Sequence, residues 1–446
     1  MALVALVAAS PLLLAPEALI GNQAEPYKTA GRFHAADWTS EELLASRWTM
    51  SARIDVWSDD ARDLETGRPL AGASTYRMIT QDNDAHTNIL GPEERERIAE
   101  RVERGEPIEP LDLLYTMGRS PERVLVVGPG GGKDVVIANA YGAKRIDAAE
   151  LNAATVGFVS GQFRDYAAWP AWDHVELQVA EGRHFVRTAG RTYDALVMSG
   201  VDTFAALSSG AYVLSENYLY TVEAIQDYLA ALEPDGILGI YRWFFPQPRE
   251  NLRLVNLYLE AAAEQGIAGP ERSVMVIAGA HWAATLIKKG AFTVEEVRTA
   301  MNRMQAKDEF AFVLLPEVLP PMEQATLEAE AFERRHDELR PAREAFKELI
   351  EADAANERAA FADGYVYNIT PVRDDRPFFF EYFKPATGQE DRTEWAKGGL
   401  REQFTALRGN ASHYLLHILF ALTAVIGFLA MIVPLLMFDR QGLHID

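Results

Sequence analysis

The stretch that most constrains the fold runs from Arg123 to Asn152, where apolar runs flank a cluster of glycines. VLVVG is typical of a buried strand, GPGGGK of a tight loop, KDVVIANAYG of a helix and RIDAAE of a second strand. The same alternation of strands and helices continues to about residue 290. Strands that alternate with helices favour a parallel sheet with helices on both faces. The sequence therefore predicts an α/β fold with a doubly wound sheet.

Smaller parts are expected on both sides of this α/β unit. β-type segments come before it, and a charged helical region with an aromatic tail follows it. The predicted divisions are an apolar N-terminal segment (1–22), a small β domain with linking helices (45–119), the α/β domain (120–290), a helical segment with an aromatic tail (291–385) and a linker (386–412).

The run 413–438 contains YLLHILFALTAVIGFLAMIVPLLMF, which is apolar throughout. About 20 apolar residues suffice for a helix to cross a bilayer, so this run predicts a C-terminal transmembrane helix; a buried core helix is the alternative. The segment 1–22 fits a remnant of a membrane domain, a poor signal peptide or an interfacial segment. Arg401 and Arg408 precede the predicted helix and only Arg440 follows it, which favours a cytoplasmic main domain.

Composition excludes several classes of function. The net charge of −22 argues against nucleic acid as a partner, because phosphate binding needs clustered Lys and Arg. The absence of cysteine excludes disulfides, thiolate catalysis and zinc–thiolate sites. No cluster of His, Asp and Glu has a convincing metal-ligand spacing, so no metal is predicted. We interpret the paired aspartates of DDRPFFF (Asp374–Phe380) as structural, with Arg376 pairing locally and the phenylalanines packed.

The glycine loop and two later acids predict a site for an adenosine group. The G-x-G-x-G pattern lets the backbone approach a ligand, and the helix that follows adds a positive dipole. An acid at the end of the next strand can accept hydrogen bonds from ribose hydroxyls, and an acid after the third strand can meet the adenine edge. Because phosphate-binding features are missing, S-adenosylmethionine or a relative fits better than NAD; the alternative is that both acids are ordinary surface residues. The predicted nucleotide-binding residues are Gly128, Gly130, Gly132, Glu150, Glu181 and Gly182.

A second substrate is expected beside the loop Ser199–Asn217, which follows the sheet at the same edge. Asp202 is the candidate general base or ammonium anchor, with a turn cap as the alternative. Glu216 could meet a cation or cap the next helix. Tyr212 and Tyr218 are candidate substrate contacts, with packing as the alternative.

Several of these stretches resemble the spermidine synthase (polyamine aminopropyltransferase) family. The stretches are RVLVVGPGGGKDV, AELN, VAEGRHFV, YDALVMSGVD, LSENYLYTVEAIQDYLAALEPDGIL and DDRPFFF. The resemblance covers roughly Ser51 to Gly290, and the tail to Phe383 is similar to the membrane-fused bacterial branch. It implies a class I methyltransferase-like (Rossmann-like) α/β domain behind a small β domain. It also implies S-adenosylmethionine or its decarboxylated form as co-substrate, a small amine acceptor such as a polyamine, a homodimer and a location at the bacterial inner membrane.

Two departures from the family pattern change the expected chemistry. Gly131 stands where the family loop has an aspartate, and Ser199 stands where the family has its first catalytic aspartate; Asp134 lies three residues after the loop position. In aminopropyl transfer those carboxylates hold the ammonium and help deprotonate the attacking amine, which is a nucleophile only when neutral. Their loss, and the positive charge of Lys133, favour intact S-adenosylmethionine or a different acceptor.

Three functions therefore stay open at the level of sequence. The favoured one is a membrane-anchored spermidine synthase-like transferase that moves an aminopropyl or related group to an amine. The second is an S-adenosylmethionine-dependent methyltransferase. The third is a non-catalytic adenosyl-nucleotide-binding domain that regulates a membrane assembly. The first two make the chain a transferase.

Overall fold

The computed structural model describes residues 43–49, 52–59, 76–82, 85–117, 121–201, 216–304, 307–382, 384 and 420–430. The predicted N-terminal segment 1–22 and the linker 386–412 lie outside these residues.

A small antiparallel sheet comes first in the chain. Its four strands follow one another in sequence order, and Ile54, Val56 and Ile79 point into its buried face. The strands are β1 (Leu43–Trp48), β2 (Arg53–Asp59), β3 (Tyr76–Gln81) and β4 (Ala85–Leu90). Helix α1 (Pro92–Glu103) and a 3-10 turn (Pro110–Tyr115) lead from this sheet to the larger one.

The larger sheet has eight strands in the order β12-β10-β11-β9-β8-β5-β6-β7. The five strands from β9 to β7 run parallel, whereas β11 is antiparallel to both of its neighbours. Strand β12 is antiparallel to β10, so β11 and β12 run against the other six strands. This order is the methyltransferase-like arrangement, so the α/β part of the predicted fold is confirmed. The strands are β5 (Arg123–Val127), β6 (Arg145–Glu150), β7 (Val175–Val179), β8 (Tyr193–Ser199), β9 (Leu232–Trp243), β10 (Val274–Ala278), β11 (Trp282–Lys288) and β12 (Ala311–Leu314).

Helices cover both faces of this sheet. The helix expected after β6 is interrupted by a π-helical turn between α3 and α4. The helices are α2 (Lys133–Ala140), α3 (Ala153–Gly157), α4 (Arg164–Ala167), α5 (Gly182–Thr188), α6 (Val222–Ala231), α7 (Glu250–Gln265), α8 (Val294–Met304), α9 (Pro321–Ala331), α10 (His336–Ala354) and α11 (Arg358–Gly364).

Strand β5 shows why an unbroken apolar run belongs at the centre of the sheet. Leu125 and Val127 pack into the core on one face, and Val124 and Val126 pack into the core on the other. All four side chains are buried. Because successive side chains of a strand point to opposite faces, a strand covered on both faces must be apolar at every position.

The aromatic tail is held against the α/β domain by a buried guanidinium. Arg183 donates to both carboxylate oxygens of Asp374, at 2.6 and 2.9 Å, and to Asp227 at 2.7 Å. Phe379 and Phe380 are buried in the core beside it. The structural interpretation of DDRPFFF agrees with this arrangement, and Arg376 does lie near Glu381, at 3.8 Å.

The predicted transmembrane helix is wrong. The helix that the structure describes within the run 413–438 covers residues 420–430. No helix in the described ranges is both long and apolar enough to cross a membrane. The membrane location, which depended on this helix, is corrected with it.

The Arg183 contacts predict a large effect on stability. We expect Arg183→Met to lower the free energy of unfolding by about 2 kcal/mol, because Asp374 and Asp227 lose a charged partner that is mostly out of water. Urea denaturation of the full chain measures the change, with Arg164→Met on an exposed surface as the matched control. Equal stabilities of the two variants would contradict the assigned role.

Candidate active site

The carboxyl ends of the parallel strands place the predicted site residues at one edge of the sheet. Val127 pairs with Ala149 and with Met198, so Gly128, Glu150 and Ser199 follow three neighbouring strands at the same level. A cleft of about 1270 Å³ opens at this edge. Ligands of open α/β sheets bind at this edge. The predicted residues that line the cleft are Gly128, Gly130, Glu150, Glu181 and Gly182.

Glu150 joins the glycine loop to the end of β6. Its Oε2 accepts from the Gly130 N–H at 3.1 Å, and its Oε1 accepts from the Asn152 N–H at 2.8 Å. Burial raises the pKa of Glu150 above its ordinary value, and the backbone N–H groups oppose that shift. Each carboxylate oxygen has a second lone pair, so the group can also accept from a ribose hydroxyl, as the sequence predicts.

Glu181 caps helix α5. Its carboxylate accepts from the N–H groups of Arg183, at 3.0 Å, and His184, at 2.7 Å. This cap gives the side chain a structural role at the rim of the cleft. The contact with an adenine edge stays a prediction.

The glycine loop is packed tightly under strand β4. The Gly131 N–H donates to Thr87 Oγ1 at 3.1 Å, and a Cβ atom at position 131 would lie 2.1 Å from the carbonyl oxygen of Asn88. No side chain fits there unless the two sheets separate. The absence of the family aspartate at Gly131 therefore has a steric cause, and the small sheet forms one wall of the site.

The other side of the loop is packed against Trp169. The indole N–H donates to the carbonyl of Gly131 at 3.0 Å, and a Cβ at Gly132 would lie 2.0 Å from the indole nitrogen. Gly132 also has a φ of 99°, which disfavours any other residue. Gly132 is not among the residues that line the cleft. The packing against Trp169 therefore explains why residue 132 is a glycine, and no contact with a ligand is needed to explain it.

A cluster of buried acids beside the loop is the main feature that the sequence analysis missed. Lys133 Nζ pairs with Glu109, while Asp112 and Asp134 lie close by and are almost fully buried. The Asp112 carboxylate accepts from the N–H groups of Ile108 and Glu109. The sequence did carry a signal for Glu109 and Asp112. The two residues form a reciprocal capping box at the start of the 3-10 turn, and a capping box places two polar side chains three residues apart.

The acids in this cluster interact strongly. Burial and, after it, the nearby charge of Glu109 raise the pKa of Asp134 to about 7, against an opposing effect of Lys133. Burial and the charge of Glu109 raise the pKa of Asp112 to about 8. Both carboxyls therefore titrate in the neutral range, where acid–base groups are most useful.

Aromatic side chains form the wall of the cleft nearest to Lys133. The rings of Tyr241 and Trp282 stack with centroids 5.4 Å apart, and Trp243 stacks on Trp282 at 4.4 Å. Lys133 Nζ lies 5.9 Å from the centre of the Tyr241 ring. Tyr241 and Trp282 line the cleft together with Ser199 and Glu109. Aromatic faces beside carboxylates favour a cationic ligand.

Of the predicted second-substrate residues, Glu216 and Tyr218 lie in the described part of the chain, and neither is at this wall. Asp202 and Tyr212 lie outside the described residues. Glu216 accepts from the Tyr218 hydroxyl at 3.0 Å, and neither side chain lines the cleft. The predicted helix cap at Glu216 is wrong, because α6 begins at Val222 and Thr221 Oγ1 accepts from the Ala224 N–H at 3.1 Å. Across the described part of the chain there is no group of three or more side chains arranged to hold a metal.

Comparisons with known proteins give distant structural likenesses. No family model matches the sequence, and no curated protein matches it. A spermidine synthase solved with the transition state analogue AdoDATO shares 14% identity over 67% of this chain and 87% of that chain, with a TM-score of 0.39. The spermidine synthase from Thermotoga maritima shares 16% identity over 67% of this chain and 87% of that chain, with a TM-score of 0.39. The N-methyltransferase NodS from Bradyrhizobium japonicum WM9 gives 16% identity over 44% of this chain and 96% of that chain, with a TM-score of 0.26.

The packing of the glycine loop predicts that restoring the family aspartate will harm the protein. We expect Gly131→Asp to lower the free energy of unfolding by about 2 kcal/mol or more, because the new Cβ overlaps the backbone of Asn88. Thermal and urea unfolding measure the loss. Gly161→Asp, where open space surrounds the Cα, is the matched control and should change stability by less than about 0.5 kcal/mol. A stable Gly131→Asp protein would show that β4 does not confine the loop as described.

Proposed function

We propose that the protein is a transferase that binds an S-adenosyl sulfonium nucleotide and moves a group from its sulfur to an amine acceptor. The observation that carries the proposal is the meeting of the glycine loop, Glu150 and Glu181 in one cleft at the carboxyl edge of the sheet. The nucleoside lies across the ends of β5, β6 and β7. Its ribose hydroxyls donate to Glu150, and its adenine lies near Glu181 and Gly182.

The protein contributes to this reaction chiefly by positioning the two reactants, and no covalent intermediate with a side chain is required. The lone pair of a neutral amine attacks the carbon bonded to the sulfonium, a carbon–nitrogen bond forms, and the carbon–sulfur bond breaks with its electron pair on sulfur. The product nitrogen then loses a proton. The cleft holds the two reactants in line, and a nearby carboxylate accepts the proton. The acceptor occupies the part of the cleft beside Tyr241 and Trp282, where the aromatic wall fits a small amine such as a polyamine.

Methyl transfer is the second candidate for the same site. It is supported by Gly131 and Ser199, which leave the two usual carboxylate positions of the aminopropyltransferase family without an acid. The nucleoside contacts are the same for both reactions, and the sulfur product separates them. Methylthioadenosine is the product of aminopropyl transfer, whereas S-adenosylhomocysteine is the product of methyl transfer.

Glu150 provides the direct test of the nucleotide site. We expect Glu150→Gln to weaken the binding of methylthioadenosine to the full chain about tenfold or more, because the amide replaces one charged acceptor by a donor. Isothermal titration calorimetry measures the change. Glu122→Gln, on an exposed residue at the opposite edge of the sheet, is the matched control and should bind as the wild type does.

Two outcomes would overturn the proposal. A wild-type protein that binds neither methylthioadenosine nor S-adenosylhomocysteine would have no adenosyl site. A protein that binds them but forms no sulfur product from either donor, with putrescine and other amines as acceptors, would be a binding domain and not an enzyme.

A further inference from the structure

The end of strand β8 lies between the two parts of the cleft. In the order of the larger sheet, β8 has β5 on one side and β9 on the other. The glycine loop follows β5, and Tyr241 of the aromatic wall belongs to β9. A group that passes from a nucleoside at the glycine loop to an acceptor at Tyr241 must therefore cross the end of β8. Ser199, Gly200 and Val201 form this end and line the cleft.

Gly200 and Val201 each contact one side of this junction. The Val201 side chain packs on the glycine loop, where a Cβ atom at Gly128 would lie 2.9 Å from Val201 Cγ2. Gly200 packs on the aromatic wall, where a Cβ atom would lie 3.1 Å from the Trp282 ring, and its φ of 62° disfavours any other residue. The Gly200 N–H donates to the Tyr241 carbonyl at 2.9 Å. A shift of the backbone at this point would therefore change the contacts with the loop and with the wall together.

The Tyr220 hydroxyl holds the backbone directly after this point. It donates to the carbonyl of Val201 at 2.7 Å. The Tyr220 ring is fully buried, with the Phe379 ring 4.8 Å away and the Phe380 ring edge-on at 6.2 Å. The guanidinium of Arg242 lies 5.6 Å from the centre of the Tyr220 ring. Because the groups around the ring are buried as well, the packing confines the hydroxyl to one position against Val201.

The aromatic tail also fixes the segment that carries Tyr220. Three hydrogen bonds join the segment to the tail, and in each of them a tail oxygen accepts. The donors and acceptors are the Asn217 N–H and the Pro377 carbonyl (2.8 Å), the Thr221 hydroxyl and Asp374 Oδ1 (2.7 Å), and the Val222 N–H and the Val372 carbonyl (3.0 Å). The position of Tyr220 therefore depends on residues much later in the chain, and through Val201 this dependence reaches the cleft.

We propose that Tyr220 is a positioning residue for group transfer: its hydroxyl fixes the peptide after β8 and so sets the distance between donor and acceptor. This inference rests on the proposed function. Tyr220 does not line the cleft, so it acts through Val201 and touches neither reactant. An in-line displacement is sensitive to this distance, since a misplacement of about 1 Å costs about a hundredfold in rate. Glu150 and Glu181 lie on the far side of β5 from β8, so nucleoside binding depends on Tyr220 much less than the transfer does.

Removal of the Tyr220 hydroxyl in the full chain tests this inference. Tyr220→Phe keeps the ring and takes this donor from the Val201 carbonyl. Turnover is measured with decarboxylated S-adenosylmethionine and with S-adenosylmethionine as donors, and with putrescine and spermidine as acceptors. We expect kcat to fall about tenfold or more with the pair that the wild type uses best, whereas the calorimetric Kd of methylthioadenosine should change less than about twofold. A loss in kcat that spares nucleoside binding is what misplacement of the reactants produces.

Tyr193→Phe is the matched control. Tyr193 begins β8 at the opposite end of the strand, is equally buried, and donates its hydroxyl to Asp147 at 2.8 Å. The control removes a buried tyrosine hydroxyl away from the cleft, so kcat of the folded protein should stay within about twofold of the wild-type value. Phe379→Leu is a second variant, which keeps the Tyr220 hydroxyl but removes a ring that confines it. Its kcat should fall about threefold or more with methylthioadenosine binding unchanged, and it decides the question if Tyr220→Phe cannot be purified folded.

The outcomes separate this inference from the proposed function. If the wild type binds no adenosyl probe or forms no sulfur product, the proposed function fails and the inference fails with it. If the wild type is active and Tyr220→Phe or its substitute Phe379→Leu has the wild-type kcat, the positioning role fails and the proposed function stands. The role also fails if kcat and methylthioadenosine binding decline together, or if Tyr193→Phe slows the transfer as much, because a general loss of structure gives either result.

Discussion

No side chain fits at the centre of the glycine loop, and much of the site follows from that constraint. Strand β4 closes on Gly131 from one side, and Trp169 closes on Gly132 from the other. The small N-terminal sheet is therefore a structural part of the cleft and not a separate appendage. The acidic groups of the cleft therefore come from outside the loop, from Glu150 and Glu181 after the strand ends and from Glu109 and Asp134 beside the loop.

The alternation of strands and helices was predictable because it depends on patterns that the sequence carries locally. Apolar runs of four residues mark β5 and β8, helical segments separate the strands, and parallel strands bring their carboxyl ends to one edge. The meeting of the glycine loop with Glu150 and Glu181 follows from that rule. The adjacent apolar runs SVMVIAG and AATLIKKG contain the antiparallel pair β10 and β11.

The features that sequence reasoning missed depend on contacts between distant segments. Glu109 meets Lys133 because β4 and the 3-10 turn bring a preceding segment over the loop, and no local pattern encodes that approach. Glu216 was expected to cap a helix, but Thr221 takes that role because the described helix begins at Val222. The transmembrane prediction failed because the apolarity of a run measures only its capacity to be buried, and no helix in the described part of the chain is both long and apolar enough to cross a membrane.

Both flanks of the segment 202–215 are fixed by residues that follow it in the chain. The Tyr220 hydroxyl donates to the carbonyl of Val201 at 2.7 Å, and the Asn217 N–H donates to the carbonyl of Pro377 at 2.8 Å. During synthesis the strands β5 to β8 leave the ribosome long before Pro377 does. Contacts of such long sequence separation form late, because loop closure must precede them. The nascent chain thus has its parallel strands available early, and the contact that anchors Asn217 forms only when the aromatic tail has been translated.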